Sequence, residues 1–290
     1  MTSENSTALG PSHELFVKFL TDQKRAHATI LAYGKDIDQL IKFLTDMGKK
    51  SIGEITKDDL EAFLKKLSTD GYTPKSLSRK INSIKTFYRF LKNNNLVSIN
   101  PAADINHPKY DIKPPRILSK LEYRALRDAA RGDVRTYAIV ELFLQTGIRI
   151  GELANLKLKN VKDNELDIQA LEGHPARIVP LNKAAKLALD EYLKARPDQS
   201  PEGALFITKT GRPLLVRNIR TPIDRYFKLA GIENAKVNDL RHTFIAHHLA
   251  SGTPLTVISK LVGHKRLSTT EKYLDLVKDK MTDNVKLEEL

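Results

Sequence analysis

Pro101, Pro108, Pro114 and Pro115 fall in one stretch of the 290-residue chain, from 98 to 116, that holds few apolar positions. Proline fixes φ and donates no backbone N–H, so neither a helix interior nor a central strand passes through such a segment. It reads as a linker that divides the chain in two. The expected layout is a loose polar tail over 1–12, a helical domain over 13–97, the linker over 98–116 and a second domain over 117–290. The tail lacks the apolar core of a signal peptide.

Before the linker the apolar period is helical. Leu15, Phe16, Phe19 and Leu20 make one face, and Ile30, Leu31, Tyr33, Ile37, Leu40, Ile41 and Leu44 make a second. Thr56 with Asp59 has the spacing of a capping box that opens a third helix through Leu60, Phe63, Leu64 and Leu67. A fourth, from Pro74 to Lys92, turns Leu77, Ile81, Ile84, Tyr88 and Leu91 inward and Lys75, Arg79, Lys80, Lys85 and Arg89 elsewhere. Such a basic face is either solvated or laid against a polyanion. The chain carries 48 Lys and Arg against 35 Asp and Glu, a net of +13 with a pI near 9.6, which favours the polyanion. No apolar run approaches the roughly 20 residues of a spanning helix, so nucleic acid is a better partner than a membrane. Without cysteine there are no disulfides and no thiolate metal sites, which fits a reducing cytoplasm.

After the linker, Ser119 with Glu122 predicts a capped helix to about Arg131. A buried helix follows through Tyr137, Ile139, Val140, Leu142, Phe143 and Leu144 and breaks at Gly147. That puts Arg149 at a turn and Glu152 on the next short helix. A buried arginine needs a partner, and both a local ion pair with Glu152 and an anionic ligand answer the need. Leu166 and Ile168, then Ile178 and Val179, flank the turn-rich Glu172, Gly173, His174, Pro175 and read as a β-hairpin. Asn182 caps a helix to Leu193, and Leu205 to Thr208 has the composition of a short strand. Val216 to Leu229 is helical in period and basic through Arg217, Arg220, Arg225 and Lys228, with Pro222 near its first turn or at a kink. The fold class is therefore mainly α with a small β-sheet in the C-terminal domain.

The last stretch, from Asn238 to Tyr273, breaks into three helical pieces at Gly252 and Gly263, the third opened by Ser268 and Glu271 as a capping box. Arg241, His264 and Tyr273 are left as polar groups at or near helix ends, and the chemistry that uses them together is phosphoryl transfer to the protein. A phenol of pKa about 10 is a weak nucleophile unless its proton is taken up and the phosphate it attacks is neutralised. Arginine supplies the second condition through a planar fork that stays charged. An imidazole adds a hydrogen bond or handles a proton. His242, His247 and His248 read as packing and surface residues, since no carboxylate or cysteine pattern of a metal site accompanies them.

Leu240 to Phe244, then Leu261 to His264, then Ser268, Thr269, Thr270 and Tyr273 resemble the C-terminal motif of the tyrosine recombinases, the phage integrase family that includes the Xer recombinases. Thr146 to Leu153 is similar to the family's first arginine motif, and the similarity covers nearly the whole chain. The resemblance implies a two-domain DNA clamp with a SAM-like helical core-binding domain and an α+β catalytic domain. It implies a site-specific recombinase in which Tyr273 forms a 3′-phosphotyrosine link, with no metal or cofactor. Arg149 and Arg241 would bind the phosphoryl group, with His264 and Asn238 assisting and Glu152 holding Arg149. Lys75, Arg79, Lys80, Lys85, Arg217 and Arg220 would contact double-stranded DNA, and the residues beyond Tyr273 would dock on a neighbouring protomer in a dimer or tetramer. Two positions depart from the family. Glu172 stands where a hairpin lysine protonates the leaving oxygen, with His174, Lys157, Lys159 and Lys162 nearby, and Asn238 stands where histidine is usual. Those departures support a rival, an architectural or regulatory DNA-binding relative with impaired cleavage. A type IB topoisomerase-like activity is the other alternative.

Overall fold

A computed structural model describes residues 7–111, 113–197 and 203–282, and the chain divides into two compact units, Met1–Ile112 and Lys113–Leu290. Residues 1–6 of the expected tail, and Val285, Leu287 and Leu290 of the terminal apolar stripe, lie outside the described residues.

The first unit packs four helices, Leu9–Asp22, His27–Asp46, Lys57–Thr69 and Pro74–Asn93. The first begins at Leu9 because Leu9 itself is buried in the core, so positions 9–12 are helical rather than tail. Thr56 and Asp59 form the reciprocal capping box that opens the third helix. Thr73 caps the fourth, with Pro74 at a position where a missing N–H costs nothing. Phe16, Leu40, Phe63, Phe87, Tyr88 and Leu91 fill the centre. Ala102 and Ile105 join that core, so the proline-rich stretch is not all spacer: its first half packs on the helices.

One polar network is buried among these helices. Asp36, 2% exposed, accepts from Lys80 Nζ at 2.8 Å and Ser83 Oγ at 2.9 Å, and from Arg79 as well. Lys80 also donates to Gln39 at 2.6 Å and lies over the Tyr72 ring. This corrects one expectation: Lys80 is 4% exposed, with its ammonium directed at Asp36, and is no part of a DNA-facing surface. Lys75 and Arg89 are exposed, Arg79 is exposed beside its pairing with Asp36, and half-buried Lys85 donates to the Ala103 carbonyl.

The second unit is helical around one two-stranded antiparallel sheet, Glu165–Ile168 with Arg177–Pro180, in the register Ile168 opposite Arg177 and Glu165 opposite Pro180. Leu166, Ile168 and Val179 face the core while Ile178 points out, the alternation that a half-buried ribbon requires. The hairpin closes at Leu171 and His174, which exchange backbone hydrogen bonds across Glu172 and Gly173, both at positive φ. Around it lie the helices Lys120–Ala130, Val134–Thr146, Ile150–Asn155, Lys183–Ala195, Val216–Leu229, Val237–Ala250, Leu255–Leu261, Ser268–Glu271 and Leu274–Thr282. Ser119, Asp133 and Asn182 each cap the helix that follows. Leu205–Thr208 makes no strand; Ala204 and Ile207 form isolated bridges to Lys157 and Pro213. Pro222 sits inside the Val216–Leu229 helix, whose Arg217 and Arg220 are exposed opposite buried Ile219 and Ile223. No helix among the described residues is long and apolar enough to cross a membrane.

Replacing Asp36 with Ala leaves the Lys80 ammonium buried without its counter-charge. Chemical denaturation of the full chain is expected to show a loss of about 3 kcal/mol, whereas Lys75→Ala should leave stability within about 0.5 kcal/mol of the parent.

Candidate active site

The site is assembled from short-range features of the second unit. The Val134–Thr146 helix ends in a left-handed residue, Gly147 at φ 59°, where a Cβ would meet Phe244 Cδ1 at 2.5 Å. Only glycine satisfies both the turn and the close approach. The reversal makes Arg149 the N-cap of Ile150–Asn155, and Glu152 reaches back to accept the Arg149 backbone N–H at 2.9 Å. Glu152 also accepts from Arg149 Nη1 at 2.9 Å. Arg177, the first residue of the second strand, grips the same carboxylate with Nη1 and Nη2, each at 2.8 Å. Burial pushes the Glu152 pKa up, but the Arg177 bonds, the Arg149 backbone N–H and the two positive charges outweigh it and hold the carboxyl at about 2.

The same arginines meet the end of the Leu255–Leu261 helix. Leu261 O accepts from Arg177 Nε at 2.6 Å, Val262 O from Arg241 Nη2 at 2.7 Å, and Gly263 O from Arg149 Nη2 at 2.6 Å. These are the unpaired carbonyls of a helix C-terminus, where partial negative charge favours cations. Arg241 donates in addition to the carbonyl of Gly147, at the end of another helix. Gly263 has φ 63°, and a Cβ there would meet Arg177 Nη1 at 2.9 Å and Arg149 Nη1 at 3.2 Å. Arg241 is 7% exposed, and burial followed by the charge of Arg149 lowers its pKa to about 9. It remains a cation at neutral pH. Two of its five N–H groups are used by carbonyls, which leaves donors for a ligand.

A cleft of about 430 Å³ opens onto these groups, lined by Arg149, Glu152, Glu172, His174, Asn238, Arg241, His242, His264 and Tyr273 among others. Tyr273 is 5% exposed, and burial raises its pKa while Arg241 opposes the rise. Its hydroxyl lies 2.6 Å from His242 Nδ1. His264 turns Nδ1 to the Thr270 hydroxyl at 2.8 Å, and burial with the charges of Arg241 and Arg149 lowers its pKa to about 3. The ring is neutral at physiological pH. In the tautomer whose Nδ1 accepts from the Thr270 hydroxyl, Nε2 carries the proton and is a donor. Three guanidinium groups meet at this junction with one directly bonded carboxylate, Glu152, an arrangement that suits a phosphate even with the Glu172 carboxylate among the lining residues.

Arg149, Arg241, His264, Tyr273, Asn238 and Glu152 thus share one cleft, and Glu172 and His174 line it as well. Lys157 and Lys159 line a separate cavity. The Lys265 amino group lies against the hairpin tip instead, 2.9 Å from where a Cβ of Gly173 would be. Three sequence expectations change. Ser268 makes no capping box: it is the first residue of its short helix, Leu267 is the N-cap, and Tyr273 follows the helix rather than lying in it. His242 is no mere packing residue, because its ring meets the tyrosine hydroxyl, while His247 is exposed and His248 packs on Phe244. Arg177 was missed. A cation opening a strand beside the buried Val179 was the available signal, and its partner Glu152 lies 25 residues away.

Comparison with known proteins bears on the fold and the family. Residues 116–280 match the model of the phage integrase family, and residues 14–95 match that of the phage integrase N-terminal SAM-like domain. The tyrosine recombinase XerC of Lactobacillus delbrueckii subsp. bulgaricus is 35% identical over 274 residues, covering 90% of this chain and 92% of that protein. Among solved structures, that of XerA recombinase is 28% identical with a TM-score of 0.55, covering 96% of this chain and all of that one. A lambda integrase dimer bound to a COC′ core site shares the fold, with a TM-score of 0.74 at 18% identity over 98% of this chain and 80% of that one.

Because the Glu152 carboxyl is held at about 2 against an ordinary 4.5, its stabilisation is complete above about pH 4.5 and lost as pH falls toward 2. Glu152→Gln is expected to lower the thermal midpoint at pH 7, with a cost of about 3 kcal/mol. It should also flatten the dependence of that midpoint on pH between 5 and 2, read by circular dichroism melts across that range.

Proposed function

The chain belongs to the phage integrase family of tyrosine recombinases, and from that premise we propose that this cleft cuts and rejoins DNA in site-specific recombination through a 3′-phosphotyrosine intermediate. The observation that carries the reading is the meeting of Arg149, Arg241 and Tyr273 in one cleft. Arg149 and Arg241 donate to the non-bridging oxygens of the scissile phosphate. As phosphorus becomes five-coordinate these oxygens gain charge, and donors already fixed in place stabilise that state more than the ground state. The Tyr273 oxygen bonds to phosphorus and the bond to the 5′ oxygen breaks, leaving a 5′ hydroxyl. The ester keeps the energy of the broken bond, so the 5′ hydroxyl of another strand reverses the step without ATP.

Neutral His264 donates Nε2–H to the phosphate, and the exposed Asn238 amide adds a hydrogen bond from the first turn of its helix. Arg177 and Glu152 act by holding Arg149 in place. Exposed Lys75, Arg79, Arg217 and Arg220, with Lys85, contact the backbone of double-stranded DNA and fix its register without reading its sequence. Exchange of strands between two sites needs more than one active tyrosine, so the protein works as a homo-oligomer on DNA, in the cytoplasm where that DNA lies. The binding-only reading is favoured by Glu172 and Asn238 alone.

A duplex carrying a mapped binding site, nicked next to the cleavage position, separates the two. The wild type is expected to form a covalent adduct that survives denaturing electrophoresis, and Tyr273→Phe to bind equally well and form none. Tight binding by the wild type without an adduct would leave the architectural reading. Arg241→Lys keeps a charge but loses the fork, and adduct formation should slow by about 100-fold or more. Resolution of a synthetic Holliday junction distinguishes recombination from topoisomerase-like relaxation.

A further inference from the structure

The proton of Tyr273 has no destination in the mechanism above. A phenol attacks phosphorus effectively only as its proton leaves, and the groups of the cleft differ in their ability to take it. Asn238 has no basic nitrogen. Glu152 has both oxygens bonded to guanidinium groups and stays ionised down to about pH 2, so it is a very weak base. His264 directs Nδ1 at Thr270 and, with a pKa of about 3, is a weak base as well. His174 and Glu172 line the same cleft from the hairpin tip, and neither is the group that meets the Tyr273 hydroxyl.

His242 is placed differently. It follows Arg241 on the Val237–Ala250 helix, and its Nδ1 is 2.6 Å from the Tyr273 oxygen, with the two ring centroids 5.8 Å apart. Burial and the charge of Arg241 lower its pKa, with Asp239 opposing, so the ring is neutral at physiological pH. With the ring proton on Nε2, Nδ1 accepts the phenol O–H. Proton transfer from the phenol makes an imidazolium beside a phosphorus centre that is gaining negative charge, and the two changes stabilise one another.

We propose that His242 is a catalytic residue, the general base whose Nδ1 takes the phenolic proton of Tyr273 as the tyrosine oxygen bonds to phosphorus. The inference rests on the reading of Tyr273 as nucleophile. In the forward step the O–H bond of Tyr273 breaks, the Tyr O–P bond forms, the P–O5′ bond breaks, and the 5′ oxygen takes a proton from water. The imidazolium then returns its proton to solvent. In rejoining, His242 again carries a proton and delivers it to the departing tyrosine oxygen.

The test is single-turnover adduct formation by the full chain on the nicked duplex. His242→Ala should slow it by about 100-fold or more while leaving DNA binding intact in gel shifts. Added imidazole should restore about tenfold of that loss, and 1,2,4-triazole, of the same size but a much weaker base, should restore little. His242→Asn keeps a hydrogen-bond acceptor near the place of Nδ1 without a basic nitrogen, and should be as slow as His242→Ala. Cleavage by His242→Asn within about threefold of the wild type would overturn the proposal. So would failure of imidazole to rescue a His242→Ala protein that binds DNA normally. If His242→Ala loses DNA binding, His242→Asn decides on the same criterion. A wild type that forms no adduct sinks the nucleophile reading and this one together; a wild type that does, alongside an equally fast His242→Asn, sinks this one alone.

Discussion

Three successive backbone carbonyls, those of Leu261, Val262 and Gly263, each accept from a different arginine, and the candidate site depends on that junction. The arginines come from a strand, from a helix interior and from a helix N-cap, separated by up to 92 residues of chain (Arg149 to Arg241). What joins them is the stub of a short helix whose last carbonyls have no partner of their own. The bonds therefore answer two needs at once: the helix end is satisfied, and three flexible side chains are fixed. Groups that share partners in this way do not contribute independently, and the loss on removing one includes the disorder it causes in the others.

The arrangement is unbalanced in charge. Glu152 compensates Arg149 and Arg177 through hydrogen bonds to its two oxygens, while Arg241 donates to carbonyls and feels Glu152 only at longer range, its pKa lowered to about 9 by burial and the charge of Arg149. Dipoles orient a buried cation without cancelling it. The imbalance is tolerable in a folded domain because the rest of that domain is a conventional apolar core, with Leu142, Phe143, Leu153 and Leu240 almost fully buried around the site. In the proposed reaction a bound phosphodiester supplies the missing negative charge. Affinity for such a ligand then derives partly from relief of the electrostatic tension within the protein.

How much of this was legible before the coordinates depended on range. Helix punctuation at Gly147, capping by Ser119, Thr56 and Asn182, and the hairpin around Glu172 and Gly173 are fixed by neighbours a few residues apart, and they read directly. The helical period also gave the core faces of both units. Lys80 was misread because periodicity gives the direction of a side chain but not its partner, and Asp36 lies 44 positions away. Arg177 and His242 were passed over for the same reason: their meaning resides in Glu152 and Tyr273, which the fold brings to them. The false capping box at Ser268 shows the opposite error, a local signal overridden when packing started the helix one residue earlier.

Tyr273 lies at a seam between two short helices. Its N–H donates to Thr270 O at 3.0 Å and its carbonyl accepts from Leu276 N at 3.1 Å, so the main chain is tied on both sides. Its ring meanwhile packs with Phe244, Ile245 and Val262. With the peptide planes pinned, the freedom left to the phenol is rotation about its own side-chain bonds, a swing rather than a journey. A longer stroke requires the seam itself to part, and the nearest thing that can pull on it is the helix Leu274–Thr282 that directly follows the tyrosine.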